Sequence, residues 1–193
     1  MSEIRGRKPD LGKGATHDEQ QTTYNTQQTR HKGGEISMAI VVTGRVWKFG
    51  DHINTDYISP SFAKGAAWDD YKKHILHIHK AFSKEAREGD VIVAGKNFGC
   101  GSSRESAPEN LKRLGIGCVV ADSFGRIFFR NCIAIALPVF SCEGVSDLFE
   151  EGHQLELDFE NSIVKNLTTG REMKGSPITS DLIDIVKRGG LLA

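Results

Sequence analysis

Apolar and polar residues follow one another along the chain at two spacings, and these predict a series of strands and helices. Short runs of β-branched and other apolar residues are typical of strands, and they occupy residues 39–47, 90–94, 118–121 and 137–140. Apolar residues near helical spacing, or compact segments between turn residues, predict helices over residues 69–86, 106–114, 123–131, 145–149 and 182–187. Alternating stretches at 154–159 and 162–167 flank Asn161 and predict a β-hairpin. Strands that alternate with helices indicate an α/β fold.

The helix predicted over residues 106–114 has sequence signals at both ends. Ser106 and Glu109 fit a capping box, in which each side chain bonds a backbone N–H of the other residue. A start near Ser103 fits equally well, because Pro108 is tolerated in the first turn of a helix. Gly115 is the expected stop.

The first 37 residues differ in composition from the rest of the chain. They contain only six hydrophobic residues and eleven charged ones, of which six are basic and five acidic. Such a segment buries too little apolar surface to offset the entropy lost on ordering. We therefore expect a disordered N-terminal tail at 1–37, which a partner could order, and a folded domain at 38–193. Met38 opens the first strand-like run, so a true start at that residue is an alternative.

Charge and cysteine spacing exclude several classes of protein. The 25 basic residues balance the 25 acidic ones, which removes the positive excess typical of nucleic-acid binding. The longest apolar run, at 132–140, is interrupted by Pro138 and is far shorter than the roughly 20 residues of a membrane span. The four cysteines lie too far apart for a CxxC pair, and no signal segment opens the chain. We expect a cytoplasmic protein with reduced thiols, without nucleic-acid or membrane partners.

A histidine-rich stretch raises the question of a metal site. His74 and His77 would share one helical face, but neither a carboxylate nor a cysteine nearby completes a ligand set. Lysines surround them and would repel a cation. A solvated helix face is the preferred interpretation, and no metal site is predicted.

A glycine- and serine-rich loop at residues 95–105 joins a predicted strand to a predicted helix. Its glycines permit unusual backbone angles, and Ser102, Ser103 and Arg104 follow at the expected start of the helix. Helix N-termini favour anions, and a guanidinium can bind a carboxylate with two hydrogen bonds. The loop therefore predicts a carboxylate or phosphate site. A Gly-rich turn with serine caps and a surface arginine remains an alternative.

Three segments in register resemble one family. These are Gly99-Cys-Gly-Ser-Ser-Arg-Glu105 followed by Ala107 and Pro108, the stretch 121–131, and Asn54-Thr-Asp-Tyr-Ile-Ser-Pro60. Together they resemble the small subunits of isopropylmalate isomerase (3-isopropylmalate dehydratase), the detached swivelling domains of the aconitase type. The match extends from about residue 40 to the C-terminus.

The resemblance implies a swivelling β/β/α domain that closes over a separate iron–sulfur large subunit. That subunit would carry a [4Fe–4S] cluster, and this chain would hold no cofactor. By resemblance, Ser102 aligns with the serine that removes a proton as an alkoxide, and Arg104 with the cation beside it. Ser103 aligns with a binder of the substrate carboxylate, and Gly101 would leave space for the substrate. Thr55 and Asp56 would shape their own loop.

The segment after Pro60 is where the family selects its substrate, a small carboxylic acid. Phe62 and Trp68 could pack on a branched alkyl group, whereas Lys64 could pair with an extra carboxylate. The leading prediction is isomerisation of 2-isopropylmalate to 3-isopropylmalate in leucine biosynthesis. Homoaconitate, dimethylmalate or a citrate-like acid are alternative substrates, and a non-catalytic anion-binding module is an alternative of another class. Ser106 stands where many relatives have histidine.

Overall fold

The computed structural model describes residues 25–30 and 36–191, with side chains from residue 40 onward. Within those ranges eight strands form one sheet in the order β5-β4-β3-β2-β6-β7-β8, and β1 pairs with β2 outside this path. The strands are β1 (Asn25–Arg30), β2 (Ile36–Lys48), β3 (Val91–Ala94), β4 (Cys118–Ala121), β5 (Val139–Ser141), β6 (Gln154–Asp158), β7 (Ile163–Asn166) and β8 (Glu172–Lys174). The helices are α1 (Thr55–Ile58), α2 (Trp68–Tyr71), α3 (Phe82–Glu85), α4 (Ser106–Arg113), α5 (Arg126–Ala134) and α6 (Ser180–Lys187).

The long strand β2 joins two halves of different character. Its end, residues 46–48, pairs in parallel with β3, and β4 and β5 continue this parallel half. Residues 41–45 pair antiparallel with β6, which continues into β7 and β8. Every residue of β3 and β4 is buried, as expected for parallel strands covered on both faces. The predicted α/β class and the predicted hairpin are confirmed.

The helix predicted over residues 69–86 is wrong. The segment contains α2, a 3-10 turn (Lys72–His74) and, after a break, α3. At the break the buried Leu76 has a positive φ of 50°, and its N–H donates to the Tyr57 carbonyl oxygen over 2.7 Å. A backbone N–H used by another element cannot serve the helix, so tertiary contact overrides the apolar spacing.

Other predicted element boundaries also differ from those in the structure. The helix α4 begins at Ser106 without a side-chain cap, so the predicted capping box is wrong, and its C-cap residue Leu114 directly precedes Gly115, as predicted. The helix predicted over residues 123–131 begins later, at Arg126, and forms α5. Its predicted first turn is absent because Phe124 forms a β-bridge with Phe98. The segment 145–149 forms only a 3-10 turn (Val145–Asp147), and strand β8 was not predicted.

Part of the N-terminal segment lies in the sheet. Residues 25–30 pair antiparallel with residues 36–41, where the composition of 1–37 led us to expect disorder. That expectation concerned the burial of side chains, whereas strand pairing uses backbone groups that every non-proline residue carries. The rest of the predicted tail, 1–24 and 31–35, lies outside the described residues. Across the described ranges, no helix has the length and apolar character needed to cross a membrane.

Candidate active site

Three loops meet at one edge of the parallel half of the sheet. They follow β2, β3 and β4, and because these strands are parallel neighbours their carboxyl ends lie side by side. The Gly99 N–H donates to the Ile53 carbonyl oxygen at 2.7 Å, and the Phe98 N–H to that of Ser123 at 3.0 Å. The loop at 95–105 is therefore held from both sides, and the three segments of the family resemblance converge on it.

Glycines in this loop allow close packing against both neighbours. A side chain on Gly99 would meet the Phe128 ring at 2.1 Å. Gly101 has a φ of +95°, and a Cβ there would lie 2.5 Å from the Asn54 Oδ1. The missing side chain of Gly101 thus makes room for Asn54, and its contact with a substrate stays a prediction.

Ser102 and Ser103 lie exposed at the end of the loop. The Thr55 hydroxyl donates to the Ser102 carbonyl oxygen at 3.0 Å and fixes the backbone there. Neither serine hydroxyl makes a hydrogen bond to another group in the described part of the chain, which leaves both open to a bound molecule. The helix α4 begins at Ser106, as predicted, and not at the alternative start near Ser103.

Arg104 is held by the segment that follows β2. Its Nη1 donates to the Ser59 carbonyl oxygen at 2.8 Å, and its Nη2 forms an ion pair with the Asp56 carboxylate. Asn54 caps α1 by accepting the Asp56 N–H at 2.9 Å. Sequence reasoning left Thr55 and Asp56 shaping their own loop, but they hold the backbone of Ser102 and the guanidinium of Arg104. Their position directly after a parallel strand was the signal that could have shown this.

A cavity of about 540 Å³ opens beside Arg104. Among the described residues, three cationic side chains line the cavity and no aspartate or glutamate does; the cations are Lys64, Arg104 and Arg113. Arg113 also lies over the ring of Trp68, 4.0 Å from its centroid. The cavity therefore suits an anion. Sequence reasoning singled out Lys64 and Trp68 but missed Arg113, which lies on the last turn of α4, 49 residues along the chain from Lys64.

The polar part of the cavity wall is a chain of hydrogen bonds. Ser59 Oγ lies 2.7 Å from Ser106 Oγ and 3.1 Å from the Tyr71 hydroxyl. The amide nitrogen of Asn110 donates to the same tyrosine oxygen at 3.2 Å. Ser106 therefore takes part in the cavity wall rather than capping its own helix.

Phe62 lies apart from this cavity. It is 68% exposed, and its ring meets those of His74 and His77 edge-on, with centroids 5.3 and 5.6 Å away. Its contact with a substrate stays a prediction. Lys64, two residues later, does line the cavity.

The cysteines of this chain do not suit an iron–sulfur cluster. Cys118 and Cys132 are fully buried, and burial raises the pKa of both thiols, which disfavours the thiolate that a metal needs. In the part of the chain that the structure describes, no three His, Cys, Asp or Glu side chains are grouped to hold a metal ion.

Comparison with known proteins agrees with this geometry. The Aconitase C-terminal domain family matches residues 53–140, which include the three segments of the family resemblance. The chain is 46% identical over 155 residues to the 3-isopropylmalate dehydratase small subunit 1 of Thermotoga maritima, covering 79% of this chain and 93% of that protein. It is 47% identical over 160 residues to the 3-isopropylmalate dehydratase small subunit of Aquifex aeolicus, with coverages of 81% and 95%. It is also 43% identical over 157 residues to the isopropylmalate/citramalate isomerase small subunit of Methanocaldococcus jannaschii, with coverages of 80% and 94%.

The fold agrees as well. The crystal structure of 3-isopropylmalate dehydratase from Methanocaldococcus jannaschii superposes with a TM-score of 0.72 at 36% identity, covering 79% of this chain and 91% of that one. Similarity of sequence and of fold spans nearly the whole length of these relatives. The chain belongs to the family of 3-isopropylmalate dehydratase small subunits, with the swivelling domain of the aconitase type.

Proposed function

We propose that this chain is the small subunit of a hydro-lyase that interconverts 2-isopropylmalate and 3-isopropylmalate in leucine biosynthesis. One observation carries the proposal: the anchored guanidinium of Arg104 lines a cavity together with Lys64 and Arg113, and Ser102 lies exposed two residues before it in the same loop. This arrangement suits a dicarboxylate, and relatives that match over nearly their whole length are named for this substrate.

Ser102 acts as the base in this proposal. The reaction removes a proton from the carbon next to a carboxylate and a hydroxide from its neighbour, and then returns both with their positions exchanged. Ser102 Oγ, as the alkoxide, accepts the proton in the first half and donates it back in the second. Serine is a weak acid, so a nearby cation must stabilise its ionised form. Arg104, two residues away, is the side chain that we assign to this role.

Arg104 also binds the substrate carboxylate together with Ser103. A guanidinium has five N–H donors in one plane, and the contacts with Ser59 and Asp56 fix that plane. A side chain already held in place loses less entropy when it binds a ligand. Gly101 completes the assigned set by allowing the backbone of the serine loop to approach the substrate.

The cavity beside Arg104 would take the substituent that distinguishes one malate from another. Trp68 offers an apolar face to a branched alkyl group. Lys64 and Arg113 favour a second candidate, an acid with an extra carboxylate such as homoaconitate or a citrate-like acid. A smaller acid is also within range, since a relative is named for citramalate.

The chain needs a partner in this proposal. Its own cysteines do not fit a cluster, so we assign the iron–sulfur group to a separate large subunit and derive no step through it. The small subunit then supplies binding, orientation and proton transfer. We place both subunits in the cytoplasm, where buried thiols stay reduced.

An anaerobic assay tests the function. This chain is mixed with the reconstituted large subunit of its own genome and 2-isopropylmalate, and the ultraviolet absorbance of the unsaturated intermediate is followed. We expect turnover only in the mixture, at least 1000-fold lower with Ser102→Ala and unchanged with Ser176→Ala, an exposed serine after β8. Full activity in Ser102→Ala would exclude the assigned base. If the complex forms but no acid is turned over, the alternative of a non-catalytic anion-binding module would be favoured.

A substrate panel separates the two candidate acids. Lys64→Ala should raise KM for a tricarboxylic acid about 10- to 100-fold, the loss expected for one charge-assisted hydrogen bond, and change KM for isopropylmalate little. Lys84→Ala, an exposed lysine on α3, is the matched control. Turnover of tricarboxylic acids alone by the native enzyme would move the assignment to the second candidate.

A further inference from the structure

An exposed group of aromatic rings lies next to the candidate active site. Tyr57, Phe62, His74 and His77 form this aromatic patch, in which the His77 ring lies 5.9 Å from that of Tyr57 and 5.6 Å from that of Phe62. Three of the six large hydrophobic side chains exposed in the described part of the chain lie between residues 57 and 78. Apolar side chains gathered on one surface mark interaction sites more often than scattered ones do.

We infer that the aromatic patch is the docking surface for the large subunit. The inference rests on the proposed function, because it takes from it the existence of that partner.

The aromatic patch lies against the segment that anchors Arg104. Tyr57 directly follows Asp56, whose carboxylate pairs with Arg104, and both lie on α1. The Tyr57 carbonyl oxygen accepts the Leu76 N–H at 2.7 Å, which ties the histidine segment to the same helix. A partner seated on the patch therefore lies against the segment that holds the guanidinium.

The candidate active site is open to solvent in the described part of the chain. Ser102 and Ser103 are exposed to solvent, whereas an alkoxide base and a leaving hydroxide require a site closed to bulk water. No described segment of this chain covers the two serines, so we assign the surface that closes the site to another chain. A second copy docked patch to patch would bring two identical serine loops together and supply none of the missing groups, so the large subunit is the occupant that completes the site.

The side chains of the aromatic patch are of the kinds found at protein interfaces. Phe62 and Tyr57 provide large apolar area with few rotatable bonds, and aromatic residues are enriched at the centres of interfaces. The pairs Lys72–Asp69 and Lys73–Asp70 form a polar border along the neighbouring turn. An apolar centre with a charged rim is the usual anatomy of such a surface.

A binding measurement without substrate tests the inference. The full-length chain and its Phe62→Ser and His77→Ala variants are titrated under anaerobic conditions with the cluster-loaded large subunit. We expect the Kd to rise at least tenfold with Phe62→Ser and threefold or more with His77→Ala. Leu167→Ser, at a residue 44% exposed in the turn after β7, is the control and should leave the Kd within twofold. Thermal unfolding of each variant verifies the fold.

Several outcomes would overturn the inference. An unchanged Kd in both variants would do so, as would an equal loss with Leu167→Ser or the absence of any complex with the native chain. A higher KM for isopropylmalate in Phe62→Ser, with an unchanged Kd for the large subunit, would indicate that Phe62 binds substrate instead. A change confined to self-association, seen by sedimentation, would assign the patch to a second copy. Normal binding without turnover would contradict the proposed function and leave the docking surface intact.

Discussion

Arg104 touches two oxygen atoms of the segment after β2 at once, a carbonyl and a carboxylate. Lysine presents a single ammonium and cannot keep both contacts while facing a substrate. Arg104→Lys should therefore lower kcat/KM of the assembled enzyme about 10- to 100-fold, the equivalent of one charge-assisted hydrogen bond. Steady-state kinetics measure this, with Arg171→Lys in an exposed turn as control. Native kinetics in Arg104→Lys would show that the guanidinium is not used.

Gly101 allows backbone strain and steric contact to be separated by experiment. Gly101→Ala combines an unfavourable φ of +95° with a Cβ 2.5 Å from Asn54, whereas Gly152 has a φ of +82° and open space around it. Gly152→Ala should cost about 1 kcal/mol of unfolding free energy, and Gly101→Ala at least twice that. Urea denaturation measures both, and Gly50→Ala, with neither strain nor contact, should be near neutral. Equal losses at residues 101 and 152 would mean that Asn54 moves aside without cost.

One buried carboxylate joins β2 to the turn between α3 and β3. Asp90 accepts hydrogen bonds from Arg45 at 2.8 Å, from the Trp47 ring nitrogen at 2.7 Å and from the Arg87 N–H at 2.9 Å. Burial alone would raise the pKa of Asp90, but these hydrogen bonds outweigh it and lower the pKa below the ordinary 3.8. The folded state therefore favours the ionised carboxylate.

The consequence is a pH-dependent loss on substitution. Asp90→Asn should lower the unfolding free energy by about 1–3 kcal/mol at neutral pH. Because the pKa is depressed by folding, the stabilisation is complete above pH 3.8 and fades as the pH falls toward the lower pKa of the folded state. Urea denaturation at pH 7, 5 and 3 should show the difference between native chain and variant shrinking only at the lowest pH. The exposed Asp69→Asn is the control with little effect, and a pH-independent difference would contradict the linkage.

Sequence patterns predicted correctly those strands and helices whose formation depends on residues close together in the chain. The fully buried run at 118–121 could be predicted as a strand because all four of its residues are apolar. The hairpin of β6 and β7 could be predicted because alternating apolar residues allow only one pairing register. The helix over 69–86 could not be judged locally, since its break at Leu76 depends on a carbonyl 19 residues earlier. For the same reason the serine loop was found from its own residues, whereas the contribution of Arg113 to the cavity required the fold.

For the whole molecule, the domain boundary at residue 38 stays a prediction. A chain that starts at Met38 loses β1. Its strand β2 still pairs with β6 along residues 41–45 and with β3 along residues 46–48. The candidate site lies entirely after residue 50, so deletion of 1–37 should leave kcat and KM with the large subunit within twofold. The same assay on full-length and shortened chains measures this. A loss of activity with unchanged thermal stability would give the N-terminal segment a role in catalysis or assembly.

The contact between Gly99 and Phe128 bears on how such proteins can change over time. The Phe128 ring occupies the space that a side chain at residue 99 would need, so a larger residue at 99 requires a smaller one at 128. The start of α5 therefore limits which serine motifs this fold can accept. A chimera whose residues 97–105 bring a larger residue to position 99 should recover its activity only when residues 124–128 come from the same parent.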